Sequence, residues 1–159
     1  MATNKVPMTV TGHQALKREL DNLKKVVRYE VIEAIEVARA HGDLSENAEY
    51  HAAKEQQSFV EGRIQELQGK LSNAEVIDPS TLSGERVVFG AYVTLFDFSV
   101  DQEKVYQIVG DDESDIKENK ISFASPIARA IIGKTIGDEV TIVTPGGKRD
   151  VEIIDVEFR

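Results

Sequence analysis

The chain has 159 residues, 41% apolar and 30% charged, a composition typical of a soluble globular protein with one large domain or two small ones. It contains no Cys, which excludes disulfides and thiolate metal sites. The formal net charge of −9 is divided unequally, −2 over residues 1–77 and −7 over residues 78–159, so the chain is a poor candidate for binding duplex DNA alone. We expect a cytoplasmic protein with no membrane association, because no run approaches the ~18 apolar residues of a membrane span and the first residues carry no apolar signal core. We also expect a monomer.

Residues 11–40 show the periodicity of one long amphipathic helix. Thr11 and Gln14 form a capping-box pattern at its predicted start, because Thr is a favoured N-cap residue and Gln three positions later can bond back. The apolar residues recur in steps of three or four: Leu16, Leu20, Leu23, Val27, Val31, Ile35 and Ala38. They form one stripe, in which an extra step of four makes a small break in a strict heptad.

A second helical pattern of nearly equal length follows a turn at Gly42. Its apolar residues are Ala48, Ala52, Phe59, Val60, Ile64, Leu67, Leu71 and Ala74, and we place the rings of Tyr50 and Phe59 in the core. Two matched helices joined by a short turn predict a long antiparallel coiled-coil hairpin over residues 1–77, roughly 45 Å long at 1.5 Å per residue.

Residues 78–84 have the composition of a linker, and the pattern changes to β beyond them. Short β-branched or aromatic segments predict strands at residues 86–89, 91–96, 104–109, 120–123, 139–143 and 151–158. Gly146 and Gly147 after Pro145 predict a hairpin turn. Ser125 as N-cap and Pro126 at the first helical position predict one short helix over residues 125–132. Residues 85–159 are therefore predicted to form an antiparallel β-sheet with one short helix, and the whole chain belongs to the α+β class.

Asp43 and Glu46 lie in the turn between the two predicted helices, an acidic tip at residues 42–47. Asp-x-x-Glu is a capping-box pattern, so one interpretation is that Asp43 caps the second helix and Glu46 bonds back. The other is that both carboxylates project from an exposed tip and offer part of a Mg²⁺ site. Two carboxylates alone are an incomplete site, so a two-metal centre needs further ligands from a partner.

Arg39 lies one turn before Asp43, and Lys54 lies two turns after Glu46. One interpretation is an ordinary solvated face with pairing along a helix. The other is a small cationic patch behind the acidic tip, suited to a nucleic-acid phosphate.

Residues 42–57 have the sequence GDLSENAEYHAAKEQQ, and further distinctive segments are LSNA at 71–74, IVGDDE at 108–113, SPIAR at 125–129 and TPGG at 144–147. In this order, over nearly the whole chain, they closely resemble the GreA/GreB family of bacterial transcript cleavage factors. The small basic patch is more similar to the GreA branch than to the GreB branch. Ser45 stands where the family tip often has Lys.

The resemblance implies an N-terminal antiparallel coiled coil and a C-terminal FKBP-like domain. The latter domain is expected to dock on RNA polymerase at the rim of its secondary channel, while the coiled coil enters the channel. Asp43 is then expected to help hold a second Mg²⁺ shared with the polymerase active site, and Glu46 to position the attacking water. Arg39 and Lys54 match basic positions that contact the RNA.

The expected activity is stimulation of the polymerase's own Mg²⁺-dependent cleavage at the 3′ end of backtracked nascent RNA. The protein is accordingly expected to be an accessory factor that binds no cofactor alone, and not an enzyme by itself. The expected docking residues lie in two segments: Asp111, Asp112, Glu113, Ser125, Pro126 and Ile127.

Three alternatives remain open from the sequence. A channel-binding inhibitor of the same architecture is expected to have an altered acidic tip. A chaperone or prolyl isomerase needs an aromatic-lined apolar pocket, and the chain has no Trp and few aromatic residues. The third is a purely structural coiled-coil protein.

Overall fold

The computed structural model describes residues 5–43 and 46–159. These residues form two compact units: a helical unit of residues 13–43 and 46–74, and a sheet unit of residues 5–12 and 75–159. Residues 5–12 thus belong to the sheet unit, although they precede the hairpin in sequence. They include a short strand that pairs with another strand far away in sequence, a contact that has no local signal in the sequence.

The helical unit is a hairpin of long helices. Helix α1, Val10–Asn22, continues through a π-helical turn, Leu23–Val27, into α2, Arg28–Arg39, and the chain returns as α3, Ala48–Ser72. The predicted N-cap at Thr11 is wrong. Helix α1 begins at Val10, and the backbone N–H of Gly12 donates to the hydroxyl of Thr9 at 3.1 Å.

The π-helical turn lies where the apolar spacing leaves the heptad. Leu23, Val27 and Val31 follow one another in steps of four, which is longer than the 3.6-residue turn of an α-helix. A π-helical turn contains more residues than an α-helical one, so it keeps these side chains on the side that faces α3. Leu23 and Val27 accordingly pack against the buried cluster of the hairpin.

The core of the hairpin is a narrow seam, with Val31, Ile35, Ala53, Val60 and Ile64 at its centre. The predicted stripe of the first helix is confirmed, since its members are buried or pack against this cluster at half burial. The second stripe is confirmed at Val60, Ile64 and Leu67, but Ala53 is buried instead of Ala52. Phe59 is 72% exposed, so its predicted core position is wrong. It precedes buried Val60 directly and therefore points about 100° away around the helix.

Two bidentate ion pairs join the helices beside this seam. The Arg28 guanidinium donates to Glu61 at 2.9 and 2.8 Å, and the Arg63 guanidinium donates to Glu19 at 2.8 and 3.0 Å. Hydrogen bonds from Lys70, and to a smaller extent from Arg63, lower the pKa of Glu66. The ion pairs of Glu66 with these two residues extend the charged network along α3.

The sheet unit is built on a five-stranded sheet with the strand order β5-β4-β3-β7-β6. Its strands are β3 Tyr92–Asp97, β4 Gln102–Val109, β5 Lys120–Ser122, β6 Glu139–Thr144 and β7 Gly147–Glu157. Strand β4 pairs in parallel with β5, and the other pairings in this sheet are antiparallel. The prediction of a wholly antiparallel sheet therefore needs correction at β5. That strand reaches β4 through two 3₁₀ turns, Asp111–Glu113 and Ile116–Glu118, instead of a hairpin.

A second, two-stranded sheet pairs β1, Val6–Thr9, with β2, Ala74–Ile77, and neither strand was predicted. The predicted strand at residues 86–89 is wrong. This segment makes one isolated bridge, between Arg86 and Thr135, and the amide of Val87 donates to the carbonyl of Lys134 at 2.8 Å. In the predicted linker, Asp78 caps a 3₁₀ turn, Pro79–Thr81, whose proline is buried.

The core of the sheet unit lies between the sheet and a short helix, α4, Pro126–Ile131. Ser125 caps this helix and Pro126 opens it, as predicted. The predicted hairpin turn is also confirmed, because Thr144 of β6 pairs with Gly147 of β7. The buried side chains include Val93, Ile108, Ile131 and Ile153, each 0% exposed. Among the described residues no helix has the length and apolarity that crossing a bilayer requires.

Candidate functional site

The tip of the hairpin begins where α2 ends, at Arg39. The amides of His41 and Gly42 donate to the carbonyls of Ala38 and Arg39 at 3.1 and 3.4 Å, which closes the last turn. Gly42 has φ of 119°, a value that strongly favours glycine, and the chain leaves the helical path there. Leu44 and Ser45 of the predicted tip lie outside the described residues.

Asn47 organises the return into α3. It has extended backbone angles, and its side-chain oxygen accepts a hydrogen bond from the amide of Tyr50 at 3.0 Å, so it is the N-cap of this helix. The Asn47 amide nitrogen also donates to the carbonyl of Ala38, and one side chain thus ties the end of α2 to the start of α3. The interpretation of Asp43 as the cap of this helix is therefore wrong, because Asn47 occupies that position.

Asp43 and Glu46 are both exposed at the tip. Together with His41, Asn47, Ala48 and Glu49 they line an open surface concavity. Glu49 is a third carboxylate that the sequence reasoning missed, although its position in the first turn of α3 was a usable signal. The Nε2 atom of His41 lies 3.8 Å from a carboxylate oxygen of Glu49. The concavity therefore presents carboxylate oxygens to solvent at the end of the hairpin.

These oxygens are donors of the kind that Mg²⁺ prefers, and Mg²⁺ in proteins commonly keeps several waters and takes one or two carboxylates. Within residues 5–43 and 46–159, no group of three or more His, Asp or Glu side chains is arranged to hold a metal ion by itself. The tip thus fits a shared site, to which another molecule brings the remaining ligands.

The two predicted basic residues lie on either side of the tip. Arg39 is the last residue of α2 and is exposed. Lys54, also exposed, is in the second turn of α3, and its ammonium donates to the side chain of Gln57 at 3.1 Å. Both side chains are thus accessible to solvent behind the acidic tip.

The three predicted docking acids of the sheet unit have different surroundings, although all three belong to the 3₁₀ turn Asp111–Glu113. Asp111 and Asp112 are exposed, and the Asp111 carboxylate accepts a hydrogen bond from the Ser122 hydroxyl of β5. Glu113 is half-buried, and its carboxylate accepts backbone hydrogen bonds from Thr9 and Gly110, each at 3.0 Å. Asp111 and Asp112 therefore face solvent, whereas Glu113 is turned inward.

The second predicted docking segment is the start of α4. The Ser125 hydroxyl accepts from the amide of Ala128 at 3.3 Å, so this side chain is used as a cap. Pro126 is exposed, and half-buried Ile127 lines an apolar cavity on the inner face of the sheet. The other lining residues are Leu95, Asp97, Lys104, Tyr106, Ile142, Thr144, Arg149 and Val151.

Charged side chains are among the residues that line this cavity. Asp97 accepts hydrogen bonds from Ser99, which lower its pKa, and the positive charge of Arg149 at 3.6 Å acts in the same direction. Tyr106 is the one aromatic side chain among the cavity-lining residues of the described chain. The cavity can therefore accept an apolar side chain, but it is not the aromatic-lined pocket that a prolyl isomerase needs.

Comparison with known proteins gives matches over almost the whole chain. A model of the N-terminal part of a transcription elongation factor family matches residues 6–76, and a model of the GreA/GreB C-terminal part matches residues 82–158. The transcription elongation factor GreA of Thioalkalivibrio sulfidiphilus is 60% identical over 156 residues, which cover 98% of this chain and 99% of that protein. GreA of Alkalilimnicola ehrlichii is 58% identical over 156 residues, with the same coverage. A crystal structure of the GreA factor homolog Gfh1 of Thermus thermophilus is 27% identical, covers 96% of this chain and 99% of that chain, and gives a TM-score of 0.43.

Proposed function

Since the chain belongs to the GreA/GreB family of transcription elongation factors, we propose that its hairpin delivers Asp43 and Glu46 to the active site of bacterial RNA polymerase. The hairpin enters through the secondary channel, and the two acids stimulate the polymerase's own cleavage of backtracked RNA. The observation that carries this proposal is the arrangement of the tip, where Asn47 caps α3 and the carboxylates of Asp43 and Glu46 are both exposed to solvent.

Each acid has a separate role. Asp43 contributes a carboxylate oxygen to a Mg²⁺ ion that is shared with the polymerase, and Glu46 accepts a hydrogen bond from the attacking water and orients it. The ion, when bound, supplies Lewis-acid stabilisation of the charge that develops on the phosphoryl oxygens. The protein is then an accessory factor, because its own residues furnish part of the ligand set and the polymerase furnishes the rest.

Arg39 and Lys54 contribute the opposite charge. Both are exposed beside the acidic tip, and their cations contact phosphates near the 3′ end of the nascent RNA. Contacts of this kind position the RNA backbone without reading its sequence. The effect of these residues therefore weakens with added salt, whereas the two tip acids act on the cleavage step itself.

The sheet unit supplies docking on the rim of the channel. Asp111, Asp112 and Pro126 are exposed, and Ile127 lines the apolar cavity, so the two segments offer both charge and an apolar contact. Ser125 contributes indirectly, because its hydroxyl caps α4 and holds Pro126 and Ile127 in place.

The decisive experiment is transcript cleavage in halted elongation complexes with Mg²⁺ present. Asp43→Asn and Glu46→Gln keep the size of each side chain and remove its charge. We expect each to reduce the stimulated cleavage rate about 100-fold or more at saturating factor, because the lost group is a ligand or a water-orienting base. Both variants are expected to bind polymerase as tightly as the wild-type protein does, as measured by competition with it.

Glu55→Gln is the matched control, because Glu55 is also an exposed acid of α3 but lies away from the tip concavity. This control variant is expected to stimulate cleavage as the wild-type protein does. Full cleavage by the two tip variants would contradict the proposal, as would failure of the wild-type protein to rescue halted complexes. An inhibitory effect of the wild-type protein on elongation, without cleavage, would instead favour a channel-binding inhibitor.

A further inference from the structure

Glu113 is the acid of its turn whose carboxylate is engaged by a distant part of the sheet unit. One of its oxygens accepts hydrogen bonds from the backbone amides of Thr9 and Gly110, each at 3.0 Å. The other accepts from the hydroxyl of Thr9. Thr9 and Glu113 are 104 positions apart in the sequence, so these bonds fasten the start of α1 to the far end of β4.

The hydrogen bonds continue into the first turn of α1. The Thr9 hydroxyl, which donates to Glu113, also accepts from the amide of Gly12 at 3.1 Å. Thr9 is 3% exposed, so its polar group lies away from water and needs both partners. We call Glu113, Thr9, Gly12 and Gly110 the Glu113 clamp.

The two glycines of the clamp provide the space that the carboxylate occupies. A Cβ atom at Gly12 would overlap the side-chain carbons and one oxygen of Glu113. At Gly110 a Cβ atom would lie 3.0 Å from the other carboxylate oxygen and 2.9 Å from the carbonyl oxygen of Pro7. Glycine within a helix costs about 1 kcal/mol relative to Ala, so the clamp gives a physical reason for glycine in the first turn of α1.

The charge of Glu113 suits this position. The first amides of a helix have no partner within the helix, and the N-terminus carries partial positive charge that a carboxylate stabilises. No acidic residue lies in the first turn of α1 itself, as its sequence shows. The negative charge for this helix start therefore comes from the 3₁₀ turn of residues 111–113.

We propose that Glu113 is a positioning residue, which holds the first turn of α1 on the sheet unit and fixes the point from which that helix begins. It is then not part of the docking surface, in contrast to its neighbours Asp111 and Asp112. The functional consequence rests on the proposed function. Helix α1 continues into the hairpin that carries the tip acids, so loosening its start is expected to lower the rate of stimulated cleavage at saturating factor.

The direct test is hydrogen exchange of the free 159-residue chain, which requires no polymerase. Glu113→Gln keeps the side-chain size but turns an amide nitrogen or a weaker acceptor toward the donors. We expect the amides of residues 9–12 and 110 to exchange roughly tenfold faster or more, since hydrogen bonds to a charged group are being lost. The amide of Ala128, which donates a hydrogen bond to the Ser125 hydroxyl in the same unit, is the internal reference.

Matched variants separate the clamp from general damage. Gly12→Ala removes the space for the carboxylate and leaves every side chain of the 3₁₀ turn unchanged, so it is expected to reproduce the exchange pattern of Glu113→Gln. Thr9→Val removes the bridging hydroxyl at nearly constant volume, whereas Thr9→Ser keeps the hydroxyl and serves as its control. Glu118→Gln, an exposed acid paired with Lys120 at 3.2 Å, is the charge control.

In the cleavage assay, a positioning role lowers the rate at saturating factor, whereas a docking role raises the half-saturating concentration. We expect Glu113→Gln and Gly12→Ala to lower the saturated rate severalfold with little change in the half-saturating concentration. We expect Asp112→Asn to raise the half-saturating concentration with little change in the saturated rate.

The outcomes are distinguishable. Unchanged exchange at residues 9–12 in folded Glu113→Gln overturns the clamp, and a raised half-saturating concentration with an unchanged saturated rate overturns the positioning role. If Glu113→Gln does not fold, the contrast between Thr9→Val and Thr9→Ser decides the question in the same way. Failure of the wild type to stimulate cleavage overturns the proposed function, while the exchange data still test the clamp.

Discussion

The helical unit and the sheet unit are stabilised in different ways. The hairpin has a seam one or two side chains wide, centred on five buried residues of the described chain, from Val31 to Ile64. The sheet unit has a cluster of thirteen buried residues among those described, enclosed between the sheet and α4. A buried side chain of the hairpin contacts one partner helix, whereas a buried side chain of the sheet unit is surrounded.

The hairpin supplements its narrow core with polar contacts. Arg28–Glu61 and Arg63–Glu19 are bidentate pairs across the helices, and Asn47 joins the helix ends at the tip. Partly exposed pairs of this kind contribute little each to the free energy of unfolding, because water screens the charges. The unit that presents the acids therefore has the smaller hydrophobic core, and its tip depends on a few identifiable contacts.

The same substitution, Ile to Ala, can be made in the core of each unit. Ile153→Ala in the sheet unit and Ile64→Ala in the hairpin remove the same atoms from side chains that are 0% and 2% exposed. We expect the free energy of unfolding to fall by about 4 kcal/mol for Ile153→Ala and about 2 kcal/mol for Ile64→Ala, because two helices can close on a cavity more easily than an enclosed core can. Urea-dependent hydrogen exchange, resolved by segment, measures both values.

An equal or larger loss at Ile64 would mean that the hairpin seam is as rigid as the sheet core. Ile64→Val is the graded control, with an expected loss of about 1 kcal/mol.

The next effect concerns the tip. Asn47→Ala removes both the cap of α3 and the hydrogen bond to the carbonyl of Ala38, and we expect about 1–2 kcal/mol less local stability at the start of α3. Asn47→Asp retains the capping oxygen but cannot donate to Ala38, so its loss is expected to be smaller. Exchange of the Tyr50 amide reports the cap directly. If Asn47→Ala and Asn47→Asp behave alike, the bond to Ala38 and not the cap holds the tip.

Much of the hairpin could be predicted from sequence, because helical periodicity is a local signal. The apolar stripe of the first helix, the start of α4 at Ser125–Pro126 and the turn at Pro145 were predicted and are confirmed. The break in the heptad falls at the π-helical turn. The phase of α3 was predicted less well, and the exposed ring of Phe59 shows that an apolar residue need not lie on the apolar face.

The missed features depend on contacts between distant residues. Strands β1 and β2 have four residues each, and the whole hairpin separates them in sequence. Neither strand therefore has enough local pattern to be recognised. The engagement of Glu113 requires a contact across 104 positions, and its sequence neighbours Asp111 and Asp112 gave no reason to separate it from them. Asn47 was a detectable cap, but the Asp43 and Glu46 pattern suited the same role.

Two helical glycines are expected to respond to substitution by Ala with opposite signs. Gly62 lies in the exposed interior of α3 with no atom within 4 Å of an added Cβ, whereas an added Cβ at Gly12 overlaps Glu113. Gly62→Ala is therefore expected to raise the stability of the hairpin by about 0.5–1 kcal/mol, because Ala restricts the unfolded chain and meets no obstacle. Gly12→Ala is expected to lower stability despite the same gain in helix propensity. Segment-resolved exchange of the two variants measures the difference, and stabilisation by both would show that the carboxylate of Glu113 does not need the space beside α1.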